Sequence, residues 1–434
     1  MTRSGTYIFR FLMLLVFFAG AGAGVLQAYM PESAEARRVM LDYMMEPLQA
    51  DQEIRREVLP QQSGVTIFFR TYEQLGGRYY GFKPMDADGE WAIESAGTWI
   101  IRRRIDDGEI DQVKVFLQND TLSFLRLVAD RRSRFTRMDV VIAGVDMYRG
   151  VFVPLTMERV LTIPFTMLQE STSGVVDWNL LQPDPMEPGY HRIESIVQRL
   201  REELPALRDA DDGAMDEMGR LVYIKTGQPQ EGPGGFNCSG FAKWVMDGFY
   251  RPRTGRFLPI EPLKEKHRDY RGTSWSSALD DLRDPYFGLD WTRNLALHMY
   301  ALDRQVAPET LSPGLRDVRD IRSADRIDHV GYHVEDLRHV LYRLALQEPG
   351  TLYLGSINRS FGEELILRQH THVVVLLPWF DRDGRFRVAV LERNQETGTQ
   401  SLAERYRGDF IHLVRVEAGR DFDPPPLPPP SDDD

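Results

Sequence analysis

The stretch "GGFNCSGFAKWVMDGFY", Gly234 to Tyr250, decides how this chain is read, because its Cys238 is the only cysteine in 434 residues. Phe241, Trp244, Val245 and Phe249 follow at the i, i+3, i+4, i+8 spacing of a single helix face. Asn237 is then a natural N-cap, which puts Cys238 in the first helical turn. Unpaired N–H groups and the macrodipole favour an anion there, so the thiol is expected to ionise below its ordinary range. The competing reading is a small buried hydrophobe, since free cysteine is among the most buried residue types.

A nucleophilic thiol needs a base, and the base needs an orienting group. Downstream lie four strand-like runs: "EPGTLYLGSINR", "HTHVVVLLPWF", "DRDGRFRVAVLERN" and "IHLVRV", the middle two joined by a hairpin turn at Asp383-Gly384. His372 opens the most apolar run, and His370 shares its strand parity and stands as the alternative base. Phe386, Val388 and Val390 share parity with Glu392 and Asn394, which places both polar residues on a core-facing side. A polar residue there wants a partner, and an imidazole on the neighbouring strand supplies one to Glu392 or Asn394.

Compartment follows from the N-terminus. Arg3 and Arg10 stand without an acid before the apolar run "FLMLLVFFAGAGAGVLQA", which ends in small residues with A-x-A sites. Residues 1–28 therefore read as a secretory signal or an uncleaved anchor, the run being close to the lower limit for spanning a bilayer. The body is expected to be exported, to the periplasm or cell envelope, with membrane attachment if the segment is retained. A lone thiol in that setting is no intramolecular staple. The net charge of -12 and the lack of a basic patch argue against nucleic acid as partner.

Composition is that of a globular chain, and the length suggests two domains. Residues 29–60 read as a helical lead-in and 61–180 as an all-β module, with runs such as "VTIFF", "GTWIIRRR" and "DQVKVFLQ" between turn signals. The proline-rich "LLQPDPMEPGY" marks a boundary, after which 190–420 forms an α+β domain with an insertion at 251–349. "RLVYIKTGQP" suggests a helix ending near Gly227. The insertion, with Trp275, Tyr286 and Trp291, is expected to cap one side of a groove. Residues 421–434, rich in Pro and Asp, read as a disordered tail.

Taken together, "GQPQEGPGGFNCSGFAKWV" resembles the catalytic-cysteine segment of the NlpC/P60 papain-like peptidases. "EPGTLYLGSINR" and "THVVVLLPW" are similar to that family's Pro-Gly-Asp-Leu and His-Val-Gly-Ile strands. The resemblance covers about 190–250 and 349–416, with Asn237, Gln230 and Thr351 standing where the family commonly has aspartate, tyrosine and aspartate. It implies a papain-like helix carrying Cys238 against an antiparallel sheet, with His372 as general base and Glu392 or Asn394 as third residue. The implied function is cysteine-dependent hydrolysis of an amide in a cell-wall (peptidoglycan) peptide, which needs no metal or cofactor. Alternatives are a thiol amidase or acyltransferase on another substrate and a non-catalytic envelope-binding protein.

Other motifs read as structural. "DHVGYH", Asp328 to His333, with His329 and His333, mimics the histidine motif but leads into a helix. "DRDG" and "DADG" lack the glutamate that completes a calcium loop, so both are turns.

Overall fold

The computed structural model describes residues 30–427 apart from 49–53, 86–94, 120, 131, 143, 179–182, 268–283, 320, 322–323 and 362–366. The expected signal or anchor at 1–28, Trp275, the "DADG" turn and the end of the tail at 428–434 lie outside the described residues. Among the described residues no helix is long and apolar enough to cross a membrane.

The described residues open on two short helices, α1 (Ala34–Val39) and α2 (Leu41–Met45), so only part of the expected 29–60 helical lead-in is helical and its last residues are strand. Eight strands follow: β1 (Arg56–Pro60), β2 (Thr66–Gln74), β3 (Gly77–Pro84), β4 (Trp99–Arg104), β5 (Ile110–Phe116), β6 (Phe124–Ala129), β7 (Thr136–Ile142) and β8 (Val145–Val153). They pair in strict sequence order as an antiparallel meander. Alternation buries one face: Ile67, Phe69, Tyr80, Phe82, Trp99 and Ile101 are fully covered. Two further helices, α3 (Met157–Thr162) and α4 (Phe165–Thr172), complete this all-β region.

The lead-in is part of this unit rather than a spacer. Arg37 of α1 lies 3.6 Å over the Trp99 ring and donates to the carbonyls of Leu161 (2.7 Å) and Ile163 (2.9 Å) at the end of α3. Those carbonyls have no acceptor role left inside a six-residue helix, so a buried guanidinium satisfies them.

The second unit mixes helices with antiparallel sheet. In chain order it holds α5 (Pro188–Glu203), β9 (Gly213–Met215), β10 (Leu221–Tyr223), α6 (Cys238–Thr254), α7 (Phe287–Arg304), β11 (Arg326–Ile327), β12 (Gly331–His333), α8 (Leu337–Gln347), β13 (Thr351–Phe361), β14 (Leu367–Phe380), β15 (Phe386–Glu392), β16 (Gln395–Thr397), α9 (Thr399–Arg405) and β17 (Phe410–Glu417). Seven strands form its main sheet in the order β11-β12-β17-β13-β14-β15-β16. The four apolar runs of the sequence are β13, β14, β15 and β17. The first unit touches the second where Gln118 meets the Tyr342 hydroxyl (2.5 Å) and Asn119 the Asp383 carbonyl (3.1 Å).

Three expectations change. "RLVYIKTGQP" is the second strand of the β9–β10 hairpin and its turn, not a helix, because Val222 pairs with Ala214 and the chain reverses at Gly227, φ +69. The described part of 251–349 is built into the core: α7 crosses β13, β14 and β17, β11 and β12 extend the sheet edge, and Trp291, expected in a cap, is fully buried. The tail is ordered through Leu427: Phe422 packs 4.6 Å from Phe249, Asp423 pairs with Arg199 and Arg251, and Pro425 accepts from the Trp244 indole (3.2 Å).

Candidate active site

Cys238 is the first residue of α6, and Asn237 caps it in extended backbone, φ -87 and ψ -177, accepting the Gly240 N–H at 2.7 Å. The apolar stripe of the sequence turns Phe241, Trp244, Val245 and Phe249 into the core, so the helix start is held from behind. Gln230 staples the preceding loop: its amide nitrogen donates to Val222 (2.9 Å) and Gly235 (3.0 Å), and its oxygen accepts from the Gly235 N–H (2.8 Å). Its polar atoms are engaged within the loop, which makes it a structural residue of that loop.

His372 comes from β14. Its Nε2 lies 2.7 Å from Glu392 Oε2 on the adjacent β15, and the Cys238 thiol is near enough to the ring to favour its protonated form. Glu392 is itself clamped: Arg405 and Thr397 both bond its Oε1. The Tyr406 ring lies parallel to the imidazole, 6.0 Å between centroids and 19° between planes. The sequence carried no signal for Thr397, Arg405 or Tyr406, which come from a short strand and a helix with no motif of their own.

The two alternatives left open by the sequence fall elsewhere. His372 sits opposite Ile357 and His370 opposite Asn358, with a register shift between them. Neighbouring positions on β13 face opposite sides, so the irregularity at Thr371 sends the two histidines to opposite faces and breaks the parity argument. His370 is buried with its Nδ1 2.9 Å from Ser356 Oγ. Asn394 lies beyond the end of β15, in the two-residue turn into β16, and its amide reaches the Leu207 carbonyl at 3.4 Å. His329 pairs with Arg293 at 3.0 Å in a separate buried polar cluster.

The electrostatics follow from this placement. Burial opposes ionisation of Cys238, but the hydrogen bond and charge of His372, a bond from the Val373 backbone and the nearby Arg393 outweigh it, leaving the thiol below its ordinary value. Burial likewise opposes protonation of His372, yet Cys238 and Glu392 together raise it to about 9. Burial would raise Glu392, but His372, Arg405 and Thr397 bring it down to about 2. The lowered thiol, the raised imidazole and the lowered carboxyl together favour a thiolate, an imidazolium and a carboxylate in series. Among the described residues there is no cluster of His, Cys, Asp and Glu arranged to hold a metal.

Residues 27–180 match a family described only as a domain of unknown function (DUF8515), which coincides with the lead-in helices and the β meander. No curated protein and no solved structure matches the chain.

Proposed function

We propose that the protein is an exported cysteine hydrolase of the NlpC/P60 papain-like type, cleaving an amide bond in cell-wall peptides. The observation that carries this reading is the Cys238–His372–Glu392 series: a thiol at a helix N-terminus, a protonated imidazole and a clamped carboxylate on adjacent strands. The resemblance around Cys238 and the order of β13, β14 and β15 after α6 support the peptidase class.

In this mechanism the Cys238 thiolate attacks the amide carbonyl carbon and forms a tetrahedral oxyanion. The Cys238 N–H, in a first turn where helix geometry leaves donors without intrahelical acceptors, is placed to stabilise that charge. His372 then gives its proton to the leaving amine nitrogen as the C–N bond breaks, which leaves an acyl thioester. Neutral His372 next takes a proton from water, the resulting hydroxide attacks the thioester, and the carboxylic acid and thiolate separate. Glu392 holds the ring orientation throughout and stabilises its charged form.

Purified peptidoglycan incubated with the protein and analysed by mass spectrometry tests this directly. New fragments that carry one extra water and a new amine, absent with Cys238→Ala, are the expected result. Transfer of an acyl group to an added amine without hydrolysis would favour the acyltransferase alternative, and binding to the wall without product the non-catalytic one.

A further inference from the structure

Helix α7 touches both walls of the site within a single short stretch. At one end the Trp291 indole N–H donates to the Ser239 carbonyl at 2.9 Å, and Ser239 is the residue after the thiol. At the other, the His370 N–H donates to the Pro285 carbonyl at 2.7 Å, just before α7 begins. Gly288 lies between them, where an added Cβ would sit 3.0 Å from Ser356 Oγ and 3.1 Å from the His370 carbonyl, so the helix lies against the irregular segment of β14. That segment is what turns His372 away from the His370 face. Trp291 is fully buried and Ser356 is too, so neither contact is diluted by solvent.

We propose that α7 sets the spacing between Cys238 and His372, with Trp291 and Gly288 as positioning residues. The inference rests on the cysteine-hydrolase reading and explains why α7, which lies in sequence between the two catalytic walls, is packed into the core. A thiolate and an imidazolium stabilise each other by a term that falls with distance and with loss of a direct hydrogen bond. The α6 N-terminus and the β14 irregularity are on separate elements, linked locally by few backbone bonds. A rigid body in contact with both is the physical means of holding a sub-ångström relationship between them.

The two roles of such contacts, stability and positioning, separate in the pH dependence of Cys238 alkylation by iodoacetamide. Trp291→Phe removes the indole donor together with the pyrrole ring while keeping a six-membered aromatic ring, and Gly288→Ala pushes on Ser356 and His370. Both are expected to move the alkylation midpoint upward from the wild-type value, toward the ordinary thiol value of about 8.5. Phe422→Ala serves as the control, because it weakens the packing of α6 at the Phe249 end, far along the helix from the thiol. It should lower the melting temperature without moving the midpoint.

An unchanged midpoint in folded Trp291→Phe and Gly288→Ala, or an equal shift in Phe422→Ala, overturns the positioning role. Failure of the parent reading looks different: the wild-type thiol itself would titrate near its ordinary value, and there would be no ion pair for α7 to position.

Discussion

His372 Nε2 lies 2.7 Å from Glu392 Oε2, while Asn394, two positions further along the same chain, makes its side-chain contact at the Leu207 carbonyl. Two polar residues of equal parity thus have unrelated surroundings, because β15 ends at Glu392 and the chain turns before Asn394. Arg393 between them has φ +55, a left-handed backbone that takes the following residue off the strand's face.

The thiol should react with iodoacetamide well below the ordinary thiol range, and His372→Ala should lose that reactivity. Because Cys238 is the only cysteine, bound label measured by intact mass reports this one site. His372 is raised to about 9, so the protonated partner is complete below about 6.5 and lost as pH climbs through about 9. Turnover should therefore fall on the basic side near that value. A thiol that stays silent until the protein is unfolded would show a structural cysteine.

Replacement of the third residue distinguishes the two candidates. Glu392→Gln keeps the shape but removes the charge that stabilises imidazolium, and kcat should fall by about 10²-fold. Asn394→Ala should leave kcat within about a factor of three, since its 3.4 Å contact is remote from the imidazole and long for a hydrogen bond. Equal losses in both variants would place the orienting role on the turn as a whole. The His372→Ala variant should keep no residual base activity from His370, whose ring projects to the other face.

Arg405 is expected to matter through Glu392. Glu392 is held down to about 2 against an ordinary 4.5, so its stabilising contribution is present above about 4.5 and lost as pH falls toward 2. Arg405→Met weakens that depression. The variant should melt lower than wild type at neutral pH, and the gap should close as the solution is acidified. Thermal melts between pH 7 and 2.5 check the sign.

Truncation before Asp421 should destabilise the protein rather than trim a loose end. Phe422 is buried against Phe249, and Phe422→Ala alone should cost about 3 kcal/mol in urea unfolding, the scale for emptying a buried aromatic site. Loss of Asp423 also removes the partner of Arg199 and Arg251. An unchanged urea midpoint would mean that the tail does not pack along α6 in solution.

Much of the site was legible because its signals are local. The cap at Asn237, the placement of Cys238 and the apolar stripe of α6 depend on residues within a few turns of one another, where helix geometry leaves little choice. The four later strands and the Asp383-Gly384 turn were readable for the same reason. The β9–β10 hairpin was misread because three-residue strands carry too little alternation to outweigh a helical-looking run.

What the sequence determined by itself was the order of the elements and the chemistry available to each: one thiol at a helix start, histidines on an apolar strand, and carboxylate and amide near the end of the next. Only the tertiary structure decided which of these meet. The irregularity at Thr371 separates His372 from His370, the end of β15 separates Glu392 from Asn394, and the sheet brings in Arg405 and Tyr406. It also put Trp291, expected in a cap, into the core with α7 and laid Phe422 along α6. The physical reason is common to all of these. Register and burial are settled by pairing and packing between residues distant in sequence, and one extra residue in a strand reverses every face beyond it.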